Sequence, residues 1–418
     1  MNANMPVTPS SAQEPPRACD GLWFGKDLST PEPIPEAAIE QAVALMRSGR
    51  LHRYGEQGSG FPEASLLEQD YAAYVGSKYC VAVNSCGAAM FIALKALGVR
   101  HGDKVLTSSF TLAPVPGAIA HAGAQPVLVE TTNSYTTDLD DLARKLASSG
   151  AKVFLLSHMR GHIADLRAVR ALCNQHGVAL VEDCAHTMGA RWDGRPTGTW
   201  GSVGCYSAQT YKHINSGEGG LLVTDDDDIA AQAILMSGCY MLYGQHLLRP
   251  PEDVFERWKY VTPNFSMRMS NLAAALLRPQ IALLAERGKA WNRVYALLKA
   301  QLSRVPGVSI PERRPEEEYI ASSIQFSLAL APAGIERFLH ECALRGLYIK
   351  WFGLQTPQAF TSNYGHWHYL AEKPQLARSM AVMRQLLDLR TPLSLTEQDC
   401  ELIGRIVAVA ASTAALSG

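Results

Sequence analysis

The stretch Val181-Glu-Asp-Cys-Ala-His-Thr-Met-Gly-Ala190 completes a short apolar run that begins at Val178. A run of this length with turn-forming residues after it is typical of a buried β-strand. Asp183 then falls where the strand ends. An Asp in that place usually caps a turn or a helix. A carboxylate there can also hold a cationic ring nitrogen in its charged form, and the rest of the sequence has to decide between the two interpretations.

Outward from this stretch, strands alternate with helices between Lys78 and about Thr224. Stretches with apolar residues every three or four positions separate four further runs, which are Tyr79-Cys-Val-Ala-Val83, Lys104-Val-Leu-Thr107, Pro126-Val-Leu-Val129 and Lys152-Val-Phe-Leu-Leu156. One helical stretch opens at the capping residue Asp165 and closes at Gly177. The alternation predicts an α/β fold with a mainly parallel sheet covered on both faces. Such sheets bind ligands outside the carboxyl ends of their strands, where Asp183 is placed.

The length of 418 residues suits two domains better than one. After Thr224 the sequence favours helices, including a long amphipathic segment over about 270–299, and a new mixed stretch follows Pro306-Gly307. We therefore place a domain boundary near residues 285–310. The prediction is a flexible N-terminal lead-in at 1–30, a large domain at 31–290 and a small C-terminal domain at 291–418.

Composition narrows the class of protein. Apolar residues make up 47% and charged residues 18%, which is globular rather than disordered. The formal net charge of −1 argues against a dedicated nucleic-acid binder or a polybasic membrane module. No apolar run approaches the roughly 18 residues of a membrane helix, and the chain starts without a signal-peptide pattern. Nine cysteines without metal-type spacing fit reduced intracellular thiols, so we expect a cytoplasmic protein with no nucleic-acid partner, membrane partner or metal site.

A second informative stretch presents one lysine on a polar turn. In Gly204-Cys-Tyr-Ser-Ala-Gln-Thr-Tyr-Lys-His-Ile-Asn-Ser-Gly-Glu-Gly-Gly-Leu-Leu-Val-Thr224, a strand ends at Ser207, Lys212 follows, and a glycine-rich bend leads to another strand. A lone lysine on a loop is nearly always a solvated charge. Here no acidic residue stands in this turn before Glu218. An amine in such surroundings loses its proton more readily and can attack a carbonyl to form a Schiff base.

A third stretch, Asn84-Ser-Cys-Gly-Ala-Ala89, opens a helix at about Cys86 directly after the strand at Tyr79. Small residues at a helix start leave backbone N–H groups open, and the helix dipole favours an anion such as phosphate there. Tight packing also selects small residues, and the stretch is neither a P-loop nor GxGxxG. Together, an anion seat, a carboxylate at Asp183 and a nucleophilic Lys212 are what pyridoxal 5′-phosphate (PLP) requires.

These residues resemble a known family, the DegT/DnrJ/StrS aminotransferases, which are PLP enzymes that act largely on keto sugars and cyclitols. The resemblance runs from about Glu63 to Leu276 and continues more weakly through Arg390-Thr-Pro-Leu-Ser-Leu-Thr396. It rests on six motifs in the family's order, which are Val83-Asn-Ser-Cys-Gly-Ala-Ala, Gly123-Ala-Gln-Pro-Val-Leu-Val, His158-Met-Arg-Gly-His, Glu182-Asp-Cys-Ala-His, Tyr206-Ser-Ala-Gln-Thr-Tyr-Lys and Gly217-Glu-Gly-Gly. The resemblance implies the PLP-dependent transferase fold type I, with a mainly parallel seven-stranded sheet in the large domain and a smaller C-terminal α/β domain.

The resemblance also implies roles for individual residues. Lys212 aligns with the lysine that carries the cofactor, Asp183 with the carboxylate that pairs with the pyridine nitrogen, and His186 with the residue beside the ring oxygen. The remaining cofactor-binding positions are Ser85, Cys86, Gly87, Leu112 and Ser207. The family pattern further implies glutamate or glutamine as amino donor, a keto sugar, nucleotide sugar or cyclitol as acceptor, and a homodimer with shared active sites.

Several positions depart from the family pattern. Gly87 stands where Thr is frequent, Leu112 where an aromatic residue commonly stacks on the cofactor, and His213 where Asn usually follows the lysine. One branch of the family has His in place of the lysine and catalyses a dehydration. Here the residue five positions after Ser207 is Lys212, which favours transamination.

Three alternatives stay open at this point. The chain can be a PLP enzyme of another reaction type on an amino acid, such as elimination, decarboxylation or condensation. It can be a non-catalytic PLP-binding regulator, or a doubly wound domain without PLP. Of the other conspicuous residues, Asp225 to Asp228 are predicted to cap the next helix, and His366-Trp-His-Tyr369 to pack or to face substrate rather than to bind a metal.

Overall fold

The structure, a computed structural model, describes residues 18, 20–55, 60–356, 363–370 and 372–416. Its strands in chain order are β1 Tyr79–Val83, β2 Lys104–Ser108, β3 Gln125–Val129, β4 Val153–Ser157, β5 Ala179–Asp183, β6 Arg191–Trp192, β7 Arg195–Pro196, β8 Val203–Ser207, β9 Gly220–Thr224, β10 Val308–Ser309, β11 Glu317–Glu318, β12 Ser323–Leu328, β13 Lys350–Trp351 and β14 Leu386–Arg390. Residues 1–17 and 19 of the predicted lead-in lie outside the described part of the chain.

The helices cover both faces of the main sheet and part of the C-terminal third. They are α1 Glu36–Ser48, α2 Glu63–Val75, α3 Cys86–Ala96, α4 Pro114–His121, α5 Leu139–Ser148, α6 Leu166–Gln175, α7 Asp227–Ser237, α8 Glu252–Trp258, α9 Asn271–Ile281, α10 Leu284–Leu302, α11 Pro332–Ala343, α12 Ala377–Gln385 and α13 Glu397–Leu416. Short 3-10 turns lie at Met159–Gly161, Tyr243–Gln245 and Tyr364–His366. Among the helices of the described residues, none is long and apolar enough to cross a membrane.

The main sheet has seven strands in the order β1-β9-β8-β5-β4-β2-β3. From β8 to β3 all neighbours are parallel, whereas β9 runs antiparallel to both β8 and β1. The five apolar runs of the sequence form β1 to β5, so the predicted mainly parallel α/β sheet is confirmed. Strand β4 shows why the sheet is buried on both faces. Phe154 and Leu156 pack into one apolar cluster, while Val153 and Leu155 pack into another on the opposite face.

Two local expectations have different outcomes. Helix α6 is capped as predicted, because the Asp165 side chain accepts the N–H of Ala168 at 3.0 Å and the left-handed Gly177 follows the helix. The long segment over 270–299 is instead divided into α9 and α10. The N–H of Leu283 bonds to the carbonyl of Gln280, at 3.1 Å, so the backbone tightens into a turn between the two helices.

The C-terminal third forms an antiparallel four-stranded sheet in the order β10-β12-β14-β13. One of its faces contributes to a separate apolar cluster that includes Phe326, Phe338 and Leu389. Phe24, from the segment predicted as a lead-in, is buried in the same cluster and donates its N–H to the carbonyl of Arg345. The division into domains at residue 290, within α10, stays a prediction.

Candidate active site

Asp183 is the last residue of β5, at the carboxyl edge of the main sheet, and its side chain is buried. The hydroxyl of Ser157, the last residue of β4, donates to one carboxylate oxygen at 2.7 Å. The other oxygen accepts the N–H of Ala185 at 3.1 Å and lies 3.9 Å from the Cys86 thiol, which donates to it. The carboxylate is therefore fixed by donors from three directions, which is more than a surface cap needs.

Lys212 lies on the turn between β8 and β9, and its Nζ is 3.1 Å from Nε2 of His186. The amine is withdrawn from water and faces Arg160 and Arg390, whereas Asp183 opposes their effect. Burial, followed by the two arginine charges, lowers the pKa of Lys212 to about 7. A large part of this amine is therefore neutral near pH 7, as a nucleophile or a base requires.

His186 comes from the segment after β5 and completes this contact. Burial above all, and then the neighbouring Lys212 and Arg160 charges, hold the pKa of the imidazole well below its usual range. The ring is consequently neutral, and its Nε2 can accept a hydrogen bond from the lysine amine. The structure thus brings the three residues predicted as catalytic to one edge of the sheet.

The start of α3 lies directly against this edge. Ser85 caps the helix by accepting the N–H of Ala88 at 3.0 Å. The N–H groups of Cys86 and Gly87 belong to the first turn and have no acceptor within their own helix. Gly220, at the start of β9, is what permits the close approach, because a Cβ there would come within 2.3 Å of the Ser85 carbonyl carbon.

A Gly220→Ala substitution tests this packing. Since the added methyl group would meet backbone rather than a movable side chain, we expect a loss of about 2–4 kcal/mol in the free energy of unfolding, together with weaker phosphate binding. Gly117→Ala is the matched control, because its Cβ would meet nothing within 4 Å and alanine favours the helix there. Denaturant unfolding measures the stability of both variants. Equal stability of Gly220→Ala and Gly117→Ala would contradict the close approach at Gly220.

The remaining predicted positions lie close by. Ser207 ends β8, pairs with Gly220 across the ladder and accepts the N–H of Gln209 at 3.3 Å. Leu112 lies shortly before α4. The first residue of that helix, Pro114, is close to the start of α3, because a Cβ on Gly87 would lie 3.9 Å from the Cβ of Pro114. The Leu112 side chain packs against the apolar cluster around Phe110.

This donor set fits PLP. The first turn of α3 and Ser207 offer donors for a phosphate, Asp183 a carboxylate for the ring nitrogen, and Lys212 an amine for the aldehyde. The absence of a Cβ at Gly87 leaves room beside the helix start, since its nearest neighbour would be the Ser85 hydroxyl at 3.7 Å.

The histidine that follows the lysine points elsewhere. The ring of His213 is buried edge-on against Trp291, with the ring centroids 5.1 Å apart, and burial lowers its pKa to about 3. The residue in contact with His186 is therefore Lys212 and not His213, and Lys212 is the residue that the count from Ser207 selected. In the run after Thr224, Asp226 caps α7 by accepting the N–H of Ile229.

Sequence reasoning missed several charged residues that the fold adds to this edge. Arg160 is buried on a 3-10 turn after β4, and Lys350 and Arg390 come from β13 and β14. Arg160 stands inside one of the quoted motifs, His158-Met-Arg-Gly-His162, without an assigned role, and its place in that motif was the available signal. Nothing local in the sequence connects Lys350 or Arg390 with Lys212.

Comparison with known proteins gives a consistent result. Residues 34–408 match the model of the DegT/DnrJ/EryC1/StrS aminotransferase family. The chain is 30% identical over 282 residues to the spore coat polysaccharide biosynthesis protein SpsC of Bacillus subtilis, which covers 66% of this chain and 69% of SpsC. It is 33% identical over 282 residues to L-glutamine:scyllo-inosose aminotransferase of Streptomyces griseus, covering 65% of this chain and 64% of that enzyme.

A solved structure extends the similarity to most of the chain. The crystal structure of DesV from S. venezuelae superposes with a TM-score of 0.75 at 25% identity, over 90% of this chain and 94% of DesV. The predicted fold class is confirmed by this likeness.

Proposed function

This chain belongs to the DegT/DnrJ/EryC1/StrS aminotransferase family, and we propose that it transfers an amino group from glutamate or glutamine to a keto sugar, nucleotide sugar or cyclitol. The observation that carries the proposal is the contact of the Lys212 amine with His186, beside Asp183 at the carboxyl edge of the sheet. The acceptor class follows the names of relatives, such as the scyllo-inosose aminotransferase.

We propose PLP as the cofactor, held by the residues named above. When bound, it supplies an aldehyde that combines with amines and a ring that draws electrons from the substrate's α-carbon. Asp183 provides the negative charge opposite the ring nitrogen, and Ser157 and Ala185 keep its two oxygens in place. The first turn of α3 and Ser207 bind the phosphate.

Lys212 has two tasks in this proposal. Its amine holds the cofactor between turnovers. Once displaced by a donor it takes the proton from the substrate's α-carbon, and in the second half of the cycle it delivers a proton to the acceptor's carbon. Its pKa of about 7 suits both directions of that transfer. His186, neutral and 3.1 Å away, orients the amine by accepting its N–H.

We further propose a cytoplasmic homodimer whose active sites are shared. Large apolar side chains are exposed to water on two neighbouring loops, with Met241 90% and Tyr260 83% accessible. Exposed apolar surface of this kind is typical of an interface with another protein. Arg268 lies over the ring of Tyr240 on one of these loops and bridges to Val83, the residue that ends β1 just before α3. A second copy seated there would therefore reach the proposed phosphate site.

Nitrogen transfer tests the function directly. The purified enzyme with PLP is incubated with ¹⁵N-labelled glutamate or glutamine and a panel of keto sugars, nucleotide keto sugars and keto cyclitols. We expect the label in an aminated acceptor and the matching 2-oxo acid from the donor, both measured by mass spectrometry. Loss of carbon dioxide or of a β-substituent from the amino acid would instead indicate another reaction type, and cofactor binding without any product would indicate a regulator.

A further inference from the structure

A buried amide of α9 binds the backbone of the turn that carries Lys212. The amide belongs to Gln280, in the last turn of the helix, whose side chain is fully buried. Its Oε1 accepts the N–H of Asn215 at 3.2 Å, and its Nε2 donates to the carbonyl of the same residue at 2.8 Å. Two opposed residues of antiparallel strands make the same pair of bonds. Asn215 stands three residues after Lys212, so Gln280 fixes the backbone close to the reactive lysine.

The hydrogen-bonding capacity of this amide is fully used. The Nε2 of Gln280 also donates to the carbonyl of Leu276 at 2.6 Å, and its Oε1 also accepts Nη1 of Arg287 at 3.2 Å. A primary amide offers two N–H donors and two acceptor positions, and all four have partners here. Any movement of the amide would leave buried polar groups unpaired, so the side chain is held in one position.

Helix α10 contacts the same turn beside Gln280. Arg287 and Trp291 lie four residues apart on this helix and therefore share one face. The ring of Trp291 packs edge-on against His213, the residue directly after Lys212. Arg287 bonds to Gln280 and, through Nη2, to the carbonyl of Pro33 at 3.3 Å. The end of α9 and the start of α10 thus form one seat for the residues that follow Lys212.

The position of the Lys212 amine depends on this seat. The amine ends a chain of four methylene groups, so only a fixed backbone keeps it in one place. Bonds inside the turn give it a shape, since the N–H of Lys212 donates to the carbonyl of Gln209 at 2.9 Å. The bonds to Gln280 attach the turn to another element. Burial is the main cause of the lowered pKa of Lys212, so a turn that moved outward would return the amine to its protonated form.

We propose that Gln280 is a positioning residue for Lys212, which keeps the amine inside the site and in contact with His186 by fixing the backbone at Asn215. The inference rests on the role proposed above for Lys212. The side chains described around the amine are Asp183, His186, Arg160, Arg390 and Cys86. Gln280 is neutral, so its replacement by another neutral residue changes the position of the amine without changing any of these charges.

The chain freed of PLP allows the position of the amine to be measured without turnover. The full-length protein is acylated briefly with acetic anhydride at a series of pH values, and mass spectrometry follows the peptide that contains Lys212. Only the neutral amine reacts, so the pH of half-maximal labelling reports its pKa. We expect about 7 for the wild type. In Gln280→Leu, which makes none of the four bonds, this pH should rise above about 8, toward the ordinary value of a lysine.

The holoenzyme gives a second readout. In the donor half-reaction, Gln280→Leu should lower kcat about 10- to 100-fold, because the base is misplaced, and leave the KM for the donor within about threefold. Gln280→Asn is the milder variant and serves also where the leucine variant does not fold. Its amide is one methylene group too short to reach both backbone atoms of Asn215, so it should shift the labelling in the same direction.

The matched control is Asn271→Leu, on the same helix. The Asn271 amide is also buried and also binds backbone, since it accepts the N–H of Ala64 at 3.2 Å and donates to the carbonyl of His52 at 2.7 Å. Asn271→Leu should leave the labelling of Lys212 at the wild-type pH, and denaturant unfolding compares its loss of stability with that of the Gln280 variants.

Two results would overturn the inference while the aminotransferase function stands. One is half-maximal labelling at the wild-type pH in the Gln280 variants, and the other is an equal rise in Asn271→Leu, which would indicate general loosening. If Lys212 of the wild type is labelled only near pH 10, like an ordinary lysine, the role proposed for Lys212 fails and the inference fails with it.

Discussion

A Lys212→Ala enzyme is expected to fold normally and to lose amino transfer by at least about 10³-fold. The substitution removes the amine that holds the cofactor and the base that moves the α-proton, and the groups of a catalytic unit are not replaced by their neighbours. Steady-state transfer from glutamate or glutamine measures the loss, and circular dichroism checks the fold. The visible absorbance of the bound cofactor should change as well.

Lys289→Ala provides the control, since Lys289 is an exposed lysine on α10. Its activity and absorbance should equal those of the wild type. Transfer by Lys212→Ala within tenfold of the wild-type rate would show that another group supplies the base, and it would remove Lys212 from the mechanism.

Asp183→Asn is expected to lower the rate of transfer by about 10²- to 10⁴-fold. The amide has the shape of the carboxylate but not its charge, so it no longer favours a protonated ring nitrogen, and the ring draws electrons less strongly. Ser157→Ala is the graded comparison. It removes one donor to the carboxylate and leaves the charge, so its effect should be about tenfold, as for a single hydrogen bond.

The cofactor should still bind to Asp183→Asn, because the phosphate donors at the start of α3 are untouched. The loss should therefore appear in kcat of the donor half-reaction, followed by rapid mixing at saturating cofactor. A variant with normal kcat would mean that Asp183 only caps a turn and has no part in the reaction.

The parts of the fold that the sequence predicted are those with local signals. Strands β1 to β5 are short apolar runs bounded by turn residues, and all but the edge strand β3 bury nearly all of their residues, so the pattern depends on few distant contacts. The place of Asp183 follows from the same pattern to within two residues, because the apolar run ends at Val181 and β5 ends at Asp183. The start of α3 is equally local, since Ser85 caps the helix by itself.

The charged side chains of the four-stranded sheet meet through the pairing of strands that are distant in the sequence, so their positions could not be predicted. Arg390 and Ser323 meet only through the register of β12 with β14, and Arg160 joins Asp388 from the other sheet. The hydroxyl that orients Asp183 comes from Ser157, at the end of the neighbouring parallel strand. A one-residue change of register would move these side chains to the opposite face of their sheet. Register depends on two strands that are distant in the sequence, so no single stretch predicts it.

The claim on which the account depends is that Lys212 carries the cofactor. The most direct measurement is reduction of the PLP-loaded enzyme with borohydride, followed by proteolysis and mass mapping of the phosphopyridoxyl group. The account predicts the label on Lys212. A label on Lys350, the other lysine whose pKa is lowered to about 7, or no label on any peptide, would contradict it.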